Sequence, residues 1–402
     1  MTIAGRAGAD MDRQRLRVVL SGVFALILTV GLARFAYTPL LPVMRAEAGL
    51  TYLAGGWLAA LNYAGYITGA LIAAFGGDLR RKFHYYRMGL VAAVLSTGAM
   101  GLTENMLLWA LLRFVAGMSS TAGMLLASGL VLDWLMRNHQ RPILGLHFTG
   151  IGLGIVVSGL AAGAMAGRLD WAGQWLALGL LGLCFFLPAW RWLPAPPRTV
   201  AAAGAPAAAA AAMPGERPSR RWLGLLMASY FCAGFGYVVS ATFIVDIVEK
   251  MPLLRGQGAL VWVVVGVAAV PSSLVWDRLA ARLGQVRALL LAYGLQIVSI
   301  VLPALSGAPL WNLASAALYG GTFAGIVSLT LALIGRRYPD NPAKAMARLT
   351  LSYGAAQVIA PAMTGAIATA TGSYAGALVA TAAVMLVGMA MLVGLQRAER
   401  SA

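Results

Sequence analysis

Two arginines lie inside long apolar stretches of this 402-residue chain. Arg34 sits in Gly31-Leu32-Ala33-Arg34-Phe35-Ala36-Tyr37, and Arg113 in Leu112-Arg113-Phe114-Val115-Ala116-Gly117. A charged side chain at the centre of a helix in hydrocarbon costs at least about 2.5–3.5 kcal/mol, so both must face protein or water. A planar, permanently charged guanidinium in such a place suits an anion, above all a carboxylate gripped through two parallel hydrogen bonds. Tyr37, one turn beyond Arg34, can add a hydroxyl. No acid is equally deep in the first half of the chain, where Glu104 and Asp133 flank the run that holds Arg113. The competing reading gives Arg34 to the carbonyls of neighbouring helices and Arg113 a conformational role.

Other polar side chains recur at helical spacing. Asn62, Tyr66, Gly69 and Ala73 share one face; so do Tyr230, Gly234, Tyr237 and Ala241. Asn312, Ala316, Tyr319 and Phe323 form a third stripe, and Tyr353, Gln357, Ala360 and Thr364 a fourth. The candidate substrate-binding set is therefore Arg34, Tyr37, Asn62, Tyr66, Arg113, Tyr237, Asn312, Tyr319, Tyr353 and Gln357, with helix packing competing for the tyrosines. Tyr52 and Tyr374 read as interface anchors. His147 shares a face with Gly150, Gly154 and Ser158; a histidine changes charge near neutral pH, which makes it a coupling candidate against the plainer reading of a neutral, hydrogen-bonded ring. No second His or Cys lies near it in sequence, so no metal and no cofactor are expected. Gly159, Gly163 and Gly167 recur every four residues and read as a close-packing stripe.

The elements that position these groups follow from composition. Residues are 60% hydrophobic and 11% charged, about half the usual charged share, which marks a polytopic membrane protein. The net charge of +17 does not imply nucleic-acid binding, because the bases fall in short clusters between apolar runs and form no basic domain. Those clusters are placed to touch membrane lipids with anionic headgroups. Cys184 and Cys232 both lie in apolar runs, so no disulfide framework is implied.

A spanning helix needs about 20 apolar residues, and twelve such runs are legible: 18–43, 51–76, 84–102, 105–136, 142–167 and 171–193, then 222–249, 257–280, 286–305, 309–336, 346–370 and 374–396. The chain divides into a polar tail at 1–17, without a cleavage-site pattern; a six-helix bundle at 18–193; an Ala/Pro-rich, irregular linker at 194–221; a second bundle at 222–396; and a tail at 397–402. Arg45, Arg168, Lys250 and Arg255 fall in loops on one side, Arg34 and Arg113 within spans, and every other Lys and Arg on the side of the termini. This bias predicts a multi-pass inner-membrane protein with both termini cytoplasmic.

The halves read as parallel repeats. Gly31-Leu32-Ala33-Arg34 aligns with Gly234-Phe235-Gly236-Tyr237. The turn Gly77-Asp78-Leu79-Arg80-Arg81-Lys82 aligns with Asp277-Arg278-Leu279-Ala280-Ala281-Arg282-Leu283-Gly284. The same alignment sets Asp246 opposite Val43, about 13 Å beyond Arg34 at 1.5 Å per residue. Arg45 is therefore the better partner for Asp246 or Glu249, as a gate at the end away from the termini. Asp78, Arg81, Asp277, Arg278 and Arg282 are expected to brace helix ends on the other side.

Over its whole length the chain resembles the major facilitator superfamily. Asp277, Arg278, Arg282 and Gly284 match that family's signature between paired helices, and Leu112–Gly117 its fourth-helix motif, with an arginine four residues before a glycine. Gly31–Met44 and Leu61-Asn62-Tyr63-Ala64-Gly65-Tyr66 resemble, more narrowly, the YbfB/YjiJ-type branch. The resemblance implies an all-α membrane fold of two six-helix pseudo-repeat bundles, with the first, fourth, seventh and tenth helices lining a central cavity. It further implies a secondary active transporter working by alternating access. The fifth helix has six glycines from Gly145 to Gly163 but lacks the Gly-Pro pair frequent in the superfamily's antiporters, which tells against drug/proton exchange.

The resulting expectation is transport of a small organic anion such as a carboxylate, driven by a coupling proton, another ion or the substrate gradient, since no GxxxxGK[ST] loop is present for ATP. The alternative is proton-coupled efflux of a hydrophobic, drug-like compound, which the 18 Met and 11 Trp favour. A receptor that moves nothing would carry a soluble signalling domain or long tail. An enzyme would need a nucleophile–base pair or clustered ligands within the spans. Neither pattern is found, so no enzymatic activity is expected, and the protein is expected to be a monomer with no nucleic-acid partner.

Overall fold

The computed structural model describes residues 3–75, 77–140, 144–197, 219–338 and 342–400. Most of the expected linker, 198–218, lies outside them. Six long helices precede that segment: α1 (Met11–Glu47), α2 (Tyr52–Phe75), α3 (Leu79–Ala99), α4 (Met106–Arg137), α5 (Leu144–Met165) and α6 (Trp171–Trp192). Six follow: α7 (Arg220–Glu249), α8 (Gly258–Leu283), α9 (Gln285–Leu305), α10 (Pro309–Arg337), α11 (Pro342–Thr371) and α12 (Ala375–Arg400). Ten of these are long and apolar enough to cross a membrane, the others being α3 and α11. The first half of α3 carries Arg80, Arg81, Lys82 and Arg87, which lowers its apolarity.

Helix starts are written in the sequence. Asp78, Asn105, Asp170 and Ser219 each accept a backbone N–H from the first turn of α3, α4, α6 and α7, satisfying donors that have no partner within the helix. Between α8 and α9 the chain reverses at Gly284, whose φ of 85° falls in the region that favours glycine. Helix extends back from α1 to Ile3, so the backbone of most of the polar tail continues the first span.

Residues 1–37 with 65–205 form one compact unit, and 38–64 with 206–402 form the other. The far ends of α1 and α2 thus pack with the second six helices, a division that the bundle boundaries at 18–193 and 222–396 do not anticipate.

In the first unit the core runs through Leu28, Tyr86, Leu90, Val131 and Trp134, and the Tyr86 hydroxyl donates to the Ala189 carbonyl at 2.8 Å. A close backbone approach lies between α1 and α5, where a Cβ on Gly31 would sit 2.4 Å from the Gly154 Cα. The expected packing stripe is corrected here: Gly163 and Gly167 are exposed, and Gly167 has a φ of 68° in the turn after α5. The glycines that admit a neighbour are Gly150 and Gly154, on the face of His147.

Two stretches are wound as π-helix: Ile27–Phe35 in α1 and Ala122–Ala127 in α4. Pro39 and Pro42 do not end the first helix. Helix continues from Tyr37 to Glu47 through Pro42, and the wider π turns precede the prolines, whose missing N–H would otherwise interrupt the ladder.

Candidate functional site

In the first unit the structure brings together four of the expected site residues. Gly65 of α2 backs onto the Phe114 carbonyl of α4, where a Cβ would lie 2.0 Å from that oxygen. This approach sets Tyr66 beside α1, with the Arg34 guanidinium 5.0 Å from its ring centroid and 5.5 Å from that of Phe35. Arg113 reaches from α4 to the end of the π-helical turns, donating to the Ala33 carbonyl at 3.0 Å and the Arg34 carbonyl at 3.3 Å. Pro39 has no N–H to offer a carbonyl four or five residues back, and Arg113 supplies donors where helical continuity fails. Its guanidinium lies 4.4 Å from the Tyr37 ring centroid. The buried charged residues described in this unit, Arg34 and Arg113, are both positive.

His147 is placed apart from them. It is buried, with Nδ1 2.2 Å from where a Cβ on Gly22 would stand. Only glycine at position 22 leaves room for the ring.

In the second unit Tyr237, Tyr319 and Tyr353 meet in an aromatic cluster. Tyr353 stacks on Tyr230 at 4.4 Å and on Tyr237 at 5.8 Å. Phe323 lies 5.5 Å from Tyr237 and 5.3 Å from Tyr319, while Tyr63 stands edge-on to Tyr237. The Tyr319 hydroxyl donates to the Tyr237 carbonyl at 2.9 Å. Gln357, one turn from Tyr353, is buried, and its Oε1 has no hydrogen-bond partner among the described residues. Tyr63, Tyr230 and Phe323 were not among the candidates, although Tyr230 and Phe323 lie on the stripes that supplied them. Asn62 is buried in α2. Asn312 does not join the cluster: at the start of α10, its Nδ2 donates to the Ser306 and Ala308 carbonyls.

A second cluster in this unit joins the far ends of α1, α2 and α7 with the turn before α12. Asp246 Oδ2 accepts from Arg45 Nη1 at 2.7 Å and from the Tyr374 hydroxyl at 2.6 Å, with Lys250 Nζ at 3.6 Å. The Asp246 side chain is 3% exposed. Tyr52 lies under both cations, 3.5 Å from the Arg45 guanidinium and 3.8 Å from Lys250, and is edge-on to Tyr374. Tyr52 and Tyr374, set aside as interface anchors, thus complete this cluster. Glu249 is engaged elsewhere, accepting the Gly256 and Gly258 N–H groups at 2.7 Å each and closing the loop before α8.

With this geometry in view, comparison with known proteins is decisive. A family model described as "Uncharacterised MFS-type transporter YbfB" matches residues 26–393. The chain belongs to this family of major facilitator superfamily transporters.

Among solved structures, a point-substituted form of the nucleoside transporter NupG superposes with a TM-score of 0.74 at 11% identity, over 95% of this chain and 99% of that one. A bacterial homologue of the human lysosomal transporter Spinster, in an inward-facing and occupied conformation, gives 0.67 at 16% identity over 96% and 97%. At these identities the likeness is one of fold. No curated protein sequence matches the chain.

The signature turns of this MFS transporter are described in its two units separately. Asp78 Oδ1 accepts the Arg81 N–H at 2.9 Å, so its visible work is to cap α3. Asp277, Arg278 and Arg282 are exposed. Asp277 lines a cleft of about 950 Å³ with Arg287, Arg336 and Arg337. Among the described residues no cluster of His, Cys, Asp and Glu could hold a metal ion.

Proposed function

We propose that this transporter moves a small organic anion, such as a carboxylate, across a bacterial-type inner membrane by alternating access, with both termini in the cytoplasm. The observation that carries the reading is that the buried charge described in the first unit consists of two arginines set among aromatic faces. Arg113 donates to two α1 carbonyls; Arg34, whose guanidinium lies against the Tyr66 ring, is the residue assigned to the substrate, with Tyr37 and Tyr66 beside it. In the second unit Gln357, Tyr237, Tyr319 and Tyr353 are the substrate-facing candidates. The Asp246 cluster serves as the gate at the extracellular ends, and Asp277 with Arg278 and Arg282 braces the cytoplasmic ends. His147 is the candidate for coupling transport to a proton.

A second reading, proton-coupled efflux of a hydrophobic compound, is favoured by the aromatic cluster around Tyr353. Thermal-shift screening of the purified protein against short carboxylates and lipophilic cations separates the two. Carboxylates are expected to raise the melting temperature and then to drive counterflow in liposomes. Stabilisation by the cations alone would replace the anion reading with the efflux one.

A further inference from the structure

On the outer surface of the first unit, a groove of about 710 Å³ runs along α3 between α4 and α6. His84, Arg87, Met88, Val91, Ala92, Leu95, Ser96 and Ala99 recur along α3 at three- and four-residue intervals and form one stripe. Ala92, Ser96 and Ala99 leave the groove deep, and the larger side chains Met88 and Leu95 remain exposed at its edge. The opposite wall is Leu112 and Val115 of α4.

The groove is apolar along its length and cationic at one end. Arg87 is held flat, its guanidinium 4.3 Å from the Trp190 ring centroid and 4.8 Å from that of Phe83. Its Nε is buried with no hydrogen-bond partner, and no carboxylate among the described residues pairs with it. His84 lies one turn nearer the helix start, its Nδ1 2.7 Å from the Arg80 carbonyl, so that nitrogen donates and Nε2 faces away from the bond. From Arg87 to Ala99 is about 18 Å at 1.5 Å per residue, slightly more than half the roughly 30 Å hydrocarbon thickness of a bilayer. The apolar trough thus runs away from the cation along α3 and ends with that helix at Ala99.

We infer that this groove is a binding site for one anionic phospholipid of the surrounding leaflet, its phosphate on Arg87 and one acyl chain along Ala92, Ser96 and Ala99. A zwitterionic lipid offers the chain but not the net charge. A free phosphate ester offers the charge but not the chain, and a hydrophobic solute the reverse.

The test is native mass spectrometry of the full-length protein in detergent, offered phosphatidylglycerol and phosphatidylcholine in competition, with soluble glycerol 3-phosphate as a third arm. A basic residue at the membrane surface contributes about 1 kcal/mol, so a preference of about five-fold for phosphatidylglycerol is expected. Arg87→Gln should erase the preference while leaving phosphatidylcholine retention unchanged. Ala92→Leu, which fills the trough, should reduce retention of both lipids, and glycerol 3-phosphate should not compete. Equal retention by the wild type, a preference that survives Arg87→Gln, or displacement by glycerol 3-phosphate would each overturn the site. Should Arg87→Gln not fold, Ala92→Leu decides, because unchanged retention there has the same force.

Discussion

The two embedded arginines are alike in sequence and unlike in place. Arg113 covers two carbonyls at the end of a π-helical stretch, whereas Arg34 lies against the Tyr66 ring. Lysine preserves charge but not the planar fork, so one substitution has two different expected outcomes. Arg113→Lys should lower stability by about 1–3 kcal/mol, the cost of leaving a buried acceptor unsatisfied. Arg34→Lys should melt like wild type and bind an identified anionic substrate about ten- to a hundred-fold more weakly, the scale of a lost charged hydrogen bond. Melting curves with calorimetric titrations of both variants check this, and equal affinities would end the assignment of Arg34 to an anion. That the arginines were embedded was legible from sequence. Their different places were not, because these depend on a π register that no residue pattern announced.

At the scale of the helix, small residues matter by where they face. Repeating glycines in α5 were legible as packing residues, but periodicity alone offered two faces and the wrong one was chosen. The contact with α1 uses Gly150 and Gly154, which a Cβ would drive into backbone: at Gly154 it would lie 2.7 Å from the Gly31 Cα. Gly154→Ala should therefore separate α1 from α5 at a cost of about 1–3 kcal/mol, the usual range for overpacking. Gly163→Ala, on the exposed face, should change the melting temperature little. Parallel thermal melts decide between the faces, and a larger loss at position 163 would restore the original choice. Helix starts are local matters: Asp78, Asp170 and Ser219 satisfy their own first turns, although the span expected from residue 84 begins at Leu79. Asn312 shows the reverse case: its stripe pointed to a shared face with Tyr319, but the side chain closes carbonyls at its own helix end.

At the scale of the molecule, hydropathy and charge bias were enough for a polytopic membrane protein, the resemblance of its motifs implied the superfamily fold, and the repeat alignment put Arg45 and Asp246 at matching depth. The aromatic collar of Tyr52 and Tyr374 was hidden because tyrosines at span ends usually contact the interface. Asp246 accepts from a guanidinium and a phenol in a nearly dry place, and removing one partner of such a pair typically costs about 3–5 kcal/mol. Asp246→Asn should therefore loosen this end. Thr38, buried behind the cluster with its hydroxyl 2.5 Å from the Ala241 carbonyl, is a suitable reporter. In a background lacking Cys184 and Cys232, Thr38→Cys should react with an impermeant maleimide at least about ten-fold faster when Asp246→Asn is present. Unchanged labelling in a correctly folded variant would remove the cluster from the gate.

The bond between Arg45 and Asp246 also joins residues 201 positions apart in the chain. At a synthesis rate of about 5–20 residues per second, Arg45 leaves the ribosome about 10–40 s before its carboxylate is made. Throughout that interval the nascent first hairpin carries its cation without the acid that will bury it. The end of α1 must therefore wait at the membrane surface, wet and provisional, until α7 is threaded. The finished cluster then records that the second half of the chain has arrived.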